Sequence, residues 1–374
     1  MAIRVIGLAQ GRVDDPFASS GLNQTVFGAL AQRTQLVDVL DVSLHGWQRW
    51  WNAIRTWRPD RDRWRERFDL NVRSFMQLSH MAGRMLAARR ADFDLVFQLR
   101  TMYAPGYPPG PWPYAILVDN TYVLSNRHYP PWAPMGPLEK SRWLELERVT
   151  YHQALAVFAR THWVRNSLIE DYGLPPERAV WVGTGCHFAL ETLPESKESD
   201  DGRTVLFVGK DFKRKGVPTL LEAFVLVRRR LPDARLILVG RDMPIHQDGV
   251  EVMGKVMDRS SLRKLYSQAS VFVLPSHFEP CSNVIPEAMA HRLPCIVTTA
   301  GGLADLVSDG ETGYVIPPGR PDVLADRILD LLSDPAKRRR MGECGARQVR
   351  EEFNWERVVE RMMPYLEQAL RGRK

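Results

Sequence analysis

Two carboxylates, Glu279 and Glu287, are separated by seven residues in HFEPCSNVIPEAMA (277–290), just after the apolar run ASVFVLPS. A carboxylate accepts two hydrogen bonds well, which suits neighbouring hydroxyls on a ribose or a sugar ring. Between the two glutamates, Pro280 stiffens the loop, and Ser282 or Asn283 is placed to cap a helix. Pro286 is tolerated because first-turn N–H groups lack intrahelical partners. The free N–H groups of Asn283 and Val284 then face the loop. A second chemical cluster lies upstream in VGKDFKRKG, where Lys210, Lys213, Arg214 and Lys215 fall between a strand and a helix. Cations there, beside a helix amino end, suit a phosphate and above all a diphosphate. Together the two clusters fit a nucleotide sugar, with hydroxyls at both ends and diphosphate in the middle. The plainer alternatives stay open at this point: one capping and one surface glutamate, and a solvated basic loop. A retaining glycosidase pair, with carboxyls about 5 Å apart, is disfavoured by the adjoining basic loop.

Parallel sheets covered by helices must position these loops. Short apolar runs alternate with amphipathic stretches almost throughout, from IRVIGLA, DLVFQLR, YAILVDN and AVWVGTG to TVLFVGK, ARLILVG, SVFVLPS, PCIVTT and GYVIPPG. That alternation predicts an α/β chain with two doubly wound, Rossmann-like domains. The acidic, apolar-poor segment ALETLPESKESDDGR breaks it and reads as a linker over 189–202. Residues 1–188 form the expected N-terminal domain and residues 203–354 the expected C-terminal domain. Ligands of such sheets sit beyond the carboxyl ends of the strands, where GKDFKRKG, GRDMP, SHFEPCSN and TTAGG all fall. Gly301 and Gly302, read between a strand and a helix, let backbone approach a ligand.

Composition narrows the function class. The 374 residues carry 51 basic and 44 acidic side chains, a net charge of +7. Such an excess favours phosphate-rich ligands or an anionic surface without choosing among them. The four cysteines, Cys186, Cys281, Cys295 and Cys344, show no CxxC pair and no metal-type spacing with histidine, and read as reduced cytosolic thiols. No bound metal is expected. The DRD at 60–62 and DFD at 92–94 read as solvent-facing. No stretch approaches the ~20 apolar residues of a membrane span, and the first apolar run reads as a strand rather than a leader. The expectation is a cytoplasmic protein, soluble or peripheral on the inner membrane face. Nucleic acid is not an expected partner, since no recognition-helix or RNA-binding signature is present.

These loops, in this order, resemble the retaining glycosyltransferases of family 4, with the GT-B fold of two domains facing each other across a cleft. Glu279 and Glu287 match that family's E-x7-E motif, and VGKDFKRKGVPTLLEAF is similar to its diphosphate-binding segment. SVFVLPSHFEP, AGGLADLVSDGETGYVIPPG, FNWERVVERMMPYL and, earlier, THWVRNSLIEDYGLPPERAVWVGTGCHF extend the resemblance over most of the chain. The resemblance implies roles: an N-terminal acceptor-binding domain, 1–188, joined by a last helix from about 355 to 374, and a C-terminal donor-binding domain, 203–354. Lys215 would bind the donor diphosphate, helped by Lys210 and Arg214. Glu287 would hold the ribose, and Glu279 would contact the transferred sugar or stabilise its developing charge. Amides around Ser282, Asn283 and Val284 would reach phosphate or sugar, and Gly21 would approach the diphosphate. Two departures stand out. Lys210 replaces a usual arginine, keeping the charge but losing bidentate geometry, and Asp119 occupies an acceptor-side position that often carries a histidine or an acid. The implied reaction is metal-independent transfer of a sugar, with retention and without a cofactor. The donor is a nucleoside diphosphate sugar, UDP favoured over GDP, and the acceptor is a hydroxyl of a glycan, lipid-linked or cell-envelope molecule. A degenerate member that binds a sugar nucleotide or a partner without turnover, and a GT-B sugar-nucleotide epimerase, are the alternatives.

One stretch lies outside that scheme. WQRWWNAIRTWRPDRDRWRERFDLNVR, residues 47–73, holds five tryptophans and eight arginines against four acids. Trp47, Trp50, Trp51, Ile54 and Trp57 keep helical spacing until Pro59. Two readings compete: an anionic membrane surface meeting aromatic rings and cations, and a helix packed on its own sheet with solvated arginines.

Overall fold

A computed structural model describes residues 2–14, 21–107, 110–193, 196–197 and 200–371. The chain divides into two compact units, Met1–Gly183 with Trp355–Lys374, and Thr184–Asn354.

The first unit is built on strands β1 (Arg4–Ala9), β2 (Gln35–Asp41), β3 (Leu95–Leu99), β4 (Tyr114–Val118), β5 (Val157–Ala159) and β6 (Ala179–Trp181). They pair in the order β2-β1-β3-β4-β5-β6, every pair parallel. Its helices are α1 (Leu22–Arg33), α2 (Gly46–Thr56), α3 (Arg61–Asp69), α4 (Val72–Ala87), α5 (Tyr122–His128), α6 (Pro137–Gln153) and α7 (His162–Glu170). The second unit has β7 (Thr204–Val208), β8 (Arg235–Val239), β9 (Val250–Gly254), β10 (Val271–Leu274), β11 (Cys295–Thr298) and β12 (Gly313–Ile316), in the order β12-β11-β10-β7-β8-β9. Helices α8 (Val217–Arg230), α9 (Arg259–Gln268), α10 (Val284–Ala290), α11 (Pro321–Ser333) and α12 (Pro335–Glu351) belong to it. The last helix, α13 (Trp355–Arg371), belongs to the first unit.

Strands buried on both faces explain why the interior ones are nearly continuous apolar runs. β3, β4, β7 and β10 are buried at every position. The sequence reading passed over two of the four edge strands, β2 and β9. Their residues are mostly half-buried or exposed, with polar side chains interspersed, so they lack the apolar signature. The expected linker is also corrected. Cys186 and Phe188 lie in the hydrophobic core of the second unit, so that unit begins at Thr184. Within 189–202, Asp200 pairs with Arg338 at 2.9 Å, and Lys197 donates to the Ala269 carbonyl at 2.5 Å. Through Lys197 and Asp200 the described residues of the segment are anchored to the second unit.

Strand order fixes where a ligand can enter. In the second sheet the order reverses between β7 and β10, whose chains leave for opposite faces at their carboxyl ends. The polar loops after those strands, 209–216 and 275–283, are the two that carry the basic cluster and Glu279. Among the described residues no helix is long and apolar enough to cross a membrane.

In the first unit, α13 lays Val358, Val359, Met362 and Leu366 into a core shared with Val26, Phe27 and Leu30 of α1 and with Phe97 and Phe158. Leu366→Ala should therefore cost about 2–5 kcal/mol in chemical denaturation. An unchanged midpoint would remove α13 from that core.

Candidate active site

The loop after β7 leaves the sheet with Lys210 and Lys213 exposed, then turns inward so that Arg214 is buried and Lys215 half-buried. Gly216 makes that turn possible. Its φ is 76°, and a Cβ there would lie 1.9 Å from the Pro275 carbonyl oxygen. The two loops are stitched by the His277 amide, which donates to the Arg214 carbonyl at 2.8 Å. Asp211 accepts from the Arg214 amide at 3.1 Å and faces its Nε at 3.2 Å, which fixes the guanidinium.

Glu279 enters from the other loop. Its Oε2 lies 2.7 Å from Lys215 Nζ and 3.2 Å from an Arg214 guanidinium nitrogen, which also donates to the Phe278 carbonyl at 2.5 Å. Glu279 and Arg214 are both buried. Burial pushes the Glu279 carboxyl up, but the charges of Lys215 and Arg214 outweigh it and hold the group below its ordinary range. Lys215 and Arg214 share the Glu279 carboxylate, and Asp211 faces Arg214 from the other side, so two cations meet two anions. The backbone of Glu279 is gripped as well. The Gly302 amide donates to its carbonyl at 3.0 Å, and Gly301, at φ 76°, would place a Cβ 2.4 Å from that oxygen. The two glycines therefore hold Glu279 in place. The segment after them is a single 3-10 turn, Leu303–Asp305, rather than the helix expected there.

Glu287 sits in α10 in a different environment. Tyr266 Oη, from α9, donates to its Oε2 at 3.1 Å, and Arg259 stands 3.8 Å from its Oε1. Burial raises the Glu287 carboxyl to about 7, against the pull of Arg259 and the Tyr266 hydrogen bond. The Tyr266 ring stacks on His291 at 5.2 Å, and His291 Nδ1 meets the Glu287 carbonyl at 2.8 Å. Tyr266, Arg259 and His291 were missed from the sequence. Arg259 and Tyr266 both lie on α9 and reach the carboxylate only through the fold, while His291 follows α10 itself and meets the Glu287 backbone.

The capping expectation fails. Asn283 stands at the N-cap position, just before α10, but with helical φ and ψ, and makes no side-chain cap hydrogen bond. Ser282 Oγ is buried without a partner, as is Ser276 Oγ in the same loop. In the first unit, Gly21 opens α1 at φ 85°. Asp119 follows β4, with its Oδ2 3.4 Å from Arg100 Nε and its side chain 28% exposed. Of the DxD-like triplets, Asp60 caps α3 through the Arg63 amide, and Asp94 pairs with Arg4 at 2.7 Å. Among the described residues no three His, Cys, Asp or Glu side chains gather as metal ligands.

Known proteins were then compared. Residues 202–334 match the family model "Glycosyl transferases group 1", a span that contains Lys210, Arg214, Lys215, Glu279, Ser282, Asn283, Val284 and Glu287. Among curated proteins, the alpha-D-kanosaminyltransferase of Streptomyces kanamyceticus is 30% identical over 220 residues, covering 54% of this chain and 57% of the relative. The chain spans about half to two thirds of the length of the first curated relatives it matches, 57%, 48% and 66%. Among solved structures, sucrose-phosphate synthase from Thermosynechococcus elongatus superposes with a TM-score of 0.73, at 19% identity, covering 99% of this chain and all of that one. Anabaena HepE in complex with UDP-glucose gives 0.67 at 17% identity, covering 98% and 99%. The architecture is the α/β GT-B fold of two Rossmann-like units.

The environment of Glu287 generates a pH prediction. A carboxyl raised from 4.5 to about 7 on folding contributes stability that is fully present below pH 4.5 and lost as pH rises through 7. Glu147, buried among Tyr151 and Tyr172 and also raised to about 7, acts in the same window. Glu287→Gln should therefore reduce, but not abolish, the fall in unfolding free energy between pH 5 and 8, by up to about 3 kcal/mol. A variant with the wild-type pH profile would show that Glu287 is solvated.

Proposed function

We propose that this protein is a retaining glycosyltransferase that moves a sugar from a nucleoside diphosphate sugar, UDP-linked before GDP-linked, to an acceptor hydroxyl. The observation that carries the reading is the buried Lys215–Glu279–Arg214 cluster, held where the second sheet reverses its strand order. The match of the surrounding residues to the group 1 glycosyl transferase model supports it.

Each group has a task that its environment suits. Lys215 and Arg214 bind the donor diphosphate and stabilise the charge that grows on the leaving group. A preorganised, partly desolvated cation is worth more there than in water. They supply fixed positive charge at the position where a divalent cation would otherwise be needed, which supports a metal-independent reaction with no cofactor. Lys210, exposed at the mouth of the same loop, adds long-range attraction. Glu279, kept ionised, faces the positive charge that develops at the anomeric carbon. Glu287, backed by Tyr266, accepts from the ribose hydroxyls. Ser276 and Ser282, buried and unpartnered, are available to a bound sugar or phosphate, with the amides of Asn283 and Val284 beside them. Asp119 is assigned to the acceptor side. The acceptor hydroxyl attacks the face that the leaving phosphate departs from, and a phosphate oxygen takes its proton, so no protein nucleophile is required. A glycan, lipid-linked or cell-envelope molecule is the acceptor class, at the cytoplasmic side.

UDP, GDP, ADP and their sugar conjugates, without metal, form the direct screen. A ligand held at about 100 times its dissociation constant should stabilise the protein by about 2.7 kcal/mol. One nucleotide family should shift the melting temperature, and its α-linked sugar conjugate should give an α-linked product by NMR. No shift with any nucleotide would remove the reading. A shift without product across a broad acceptor set would replace it with a binding protein.

A further inference from the structure

Helix α2 is turned inside out. Its buried residues are Asn52 and Thr56, while Trp47, Trp50, Trp51, Ile54 and Trp57 are 68%, 61%, 47%, 46% and 58% exposed. Those five make one continuous stripe at i, i+3, i+4, i+7 and i+10. Among the described residues they are five of twelve exposed large apolar side chains, and α6, with Leu138 and Val149, carries the next most. The reading of α2 as a helix packed through its tryptophans is thus overturned. The helix is held by polar contacts instead. Asn52 Nδ2 donates to the Phe68 carbonyl at 2.8 Å and its Oδ1 accepts from Asn71 at 3.2 Å, while Trp64 Nε1 donates to the Ala53 carbonyl at 3.0 Å. A helix fixed by its polar face leaves the apolar face unused by the fold.

Charge selects what covers that face. From Gly46 to Arg58 there are three arginines, Arg49, Arg55 and Arg58, and no acid. The Arg55 guanidinium lies over the Trp51 ring at 5.7 Å, and a notch of about 90 Å³ beside the stripe is lined by Trp47, Trp51, Arg55, Arg73 and Gln77. A second copy of the chain packed through the same face would bring like charges together, because a two-fold interface meets itself. An anionic lipid surface satisfies both features at once. Indole rings settle at headgroup depth, and arginines at the rim meet lipid phosphates.

We infer that α2 docks the protein on an anionic phospholipid membrane, with Trp47, Trp50, Trp51, Ile54 and Trp57 entering the interface and Arg55 and Arg58 held by headgroup phosphate. The inference does not rest on the sugar-transfer reading, and a failure of either leaves the other standing.

The test is co-sedimentation of the full chain with phosphatidylcholine vesicles, alone or with about a third phosphatidylglycerol, at low and high salt. The wild type should bind the anionic vesicles, lose most binding in high salt and ignore pure phosphatidylcholine. Trp50→Ser with Trp51→Ser should weaken binding at least about tenfold while melting like the wild type, because both side chains are exposed. A double Gln variant at Arg55 and Arg58 should lose most of the salt-sensitive part. No binding by the wild type at low salt, or undiminished binding by the tryptophan variant, overturns the inference. A concentration-dependent dimer that the tryptophan variant abolishes, without vesicle binding, assigns the face to a second copy and overturns it too.

Discussion

A carboxylate cannot be buried unpaired, and the second unit is arranged around that constraint. Glu279 leaves water only because Lys215 and Arg214 leave it too. Removing one partner of such a buried group strands the others, at about 3–5 kcal/mol. The pairing therefore ties the loop after β7 to the loop after β10. The backbone is shaped to permit it, with Gly216 turning against Pro275 and Gly301 and Gly302 gripping Glu279. The same charges that hold the loops together are the ones a diphosphate would meet. One cluster thus serves both stability and recognition.

The two motif glutamates show how environment separates chemically identical groups. Glu279 is held ionised by adjacent cations, while Glu287, given a tyrosine and a more distant arginine, is raised to about 7. One is suited to opposing a permanent or developing positive charge, the other to hydrogen bonding with neutral hydroxyls. A sequence shows two glutamates at a fixed spacing, and only packing tells them apart.

Much of this was legible in the residues. Interior strands announce themselves because both faces are buried, so VFVL and TVLFV read directly as strands. The loops at their carboxyl ends, with Lys215 and Glu279, could be picked out as a site because parallel sheets put ligands there. Edge strands β2 and β9 escaped because partial exposure admits polar residues and blurs the period. The segment 189–202 looked like a linker because it is acidic and polar, yet Asp200 and Lys197 use that polarity to dock on the second unit. Tyr266 and Arg259 were invisible because their relation to Glu287 is made by tertiary structure alone. For α2 the periodicity was readable, but which face pointed outward depended on Asn52 and Thr56 finding hydrogen-bond partners in neighbouring elements.

Isothermal titration of UDP into Lys215→Ala and Glu279→Gln, beside the wild type, tests the cluster most directly. If Lys215 and Arg214 are the diphosphate site and Glu279 is their resident counter-charge, the two substitutions act with opposite sign. Lys215→Ala should weaken UDP at least about tenfold, and Glu279→Gln, by removing the anion that Lys215 and Arg214 share, should hold it as tightly as the wild type or more tightly. Wild-type affinity in Lys215→Ala, or equal weakening by both variants, would contradict the account.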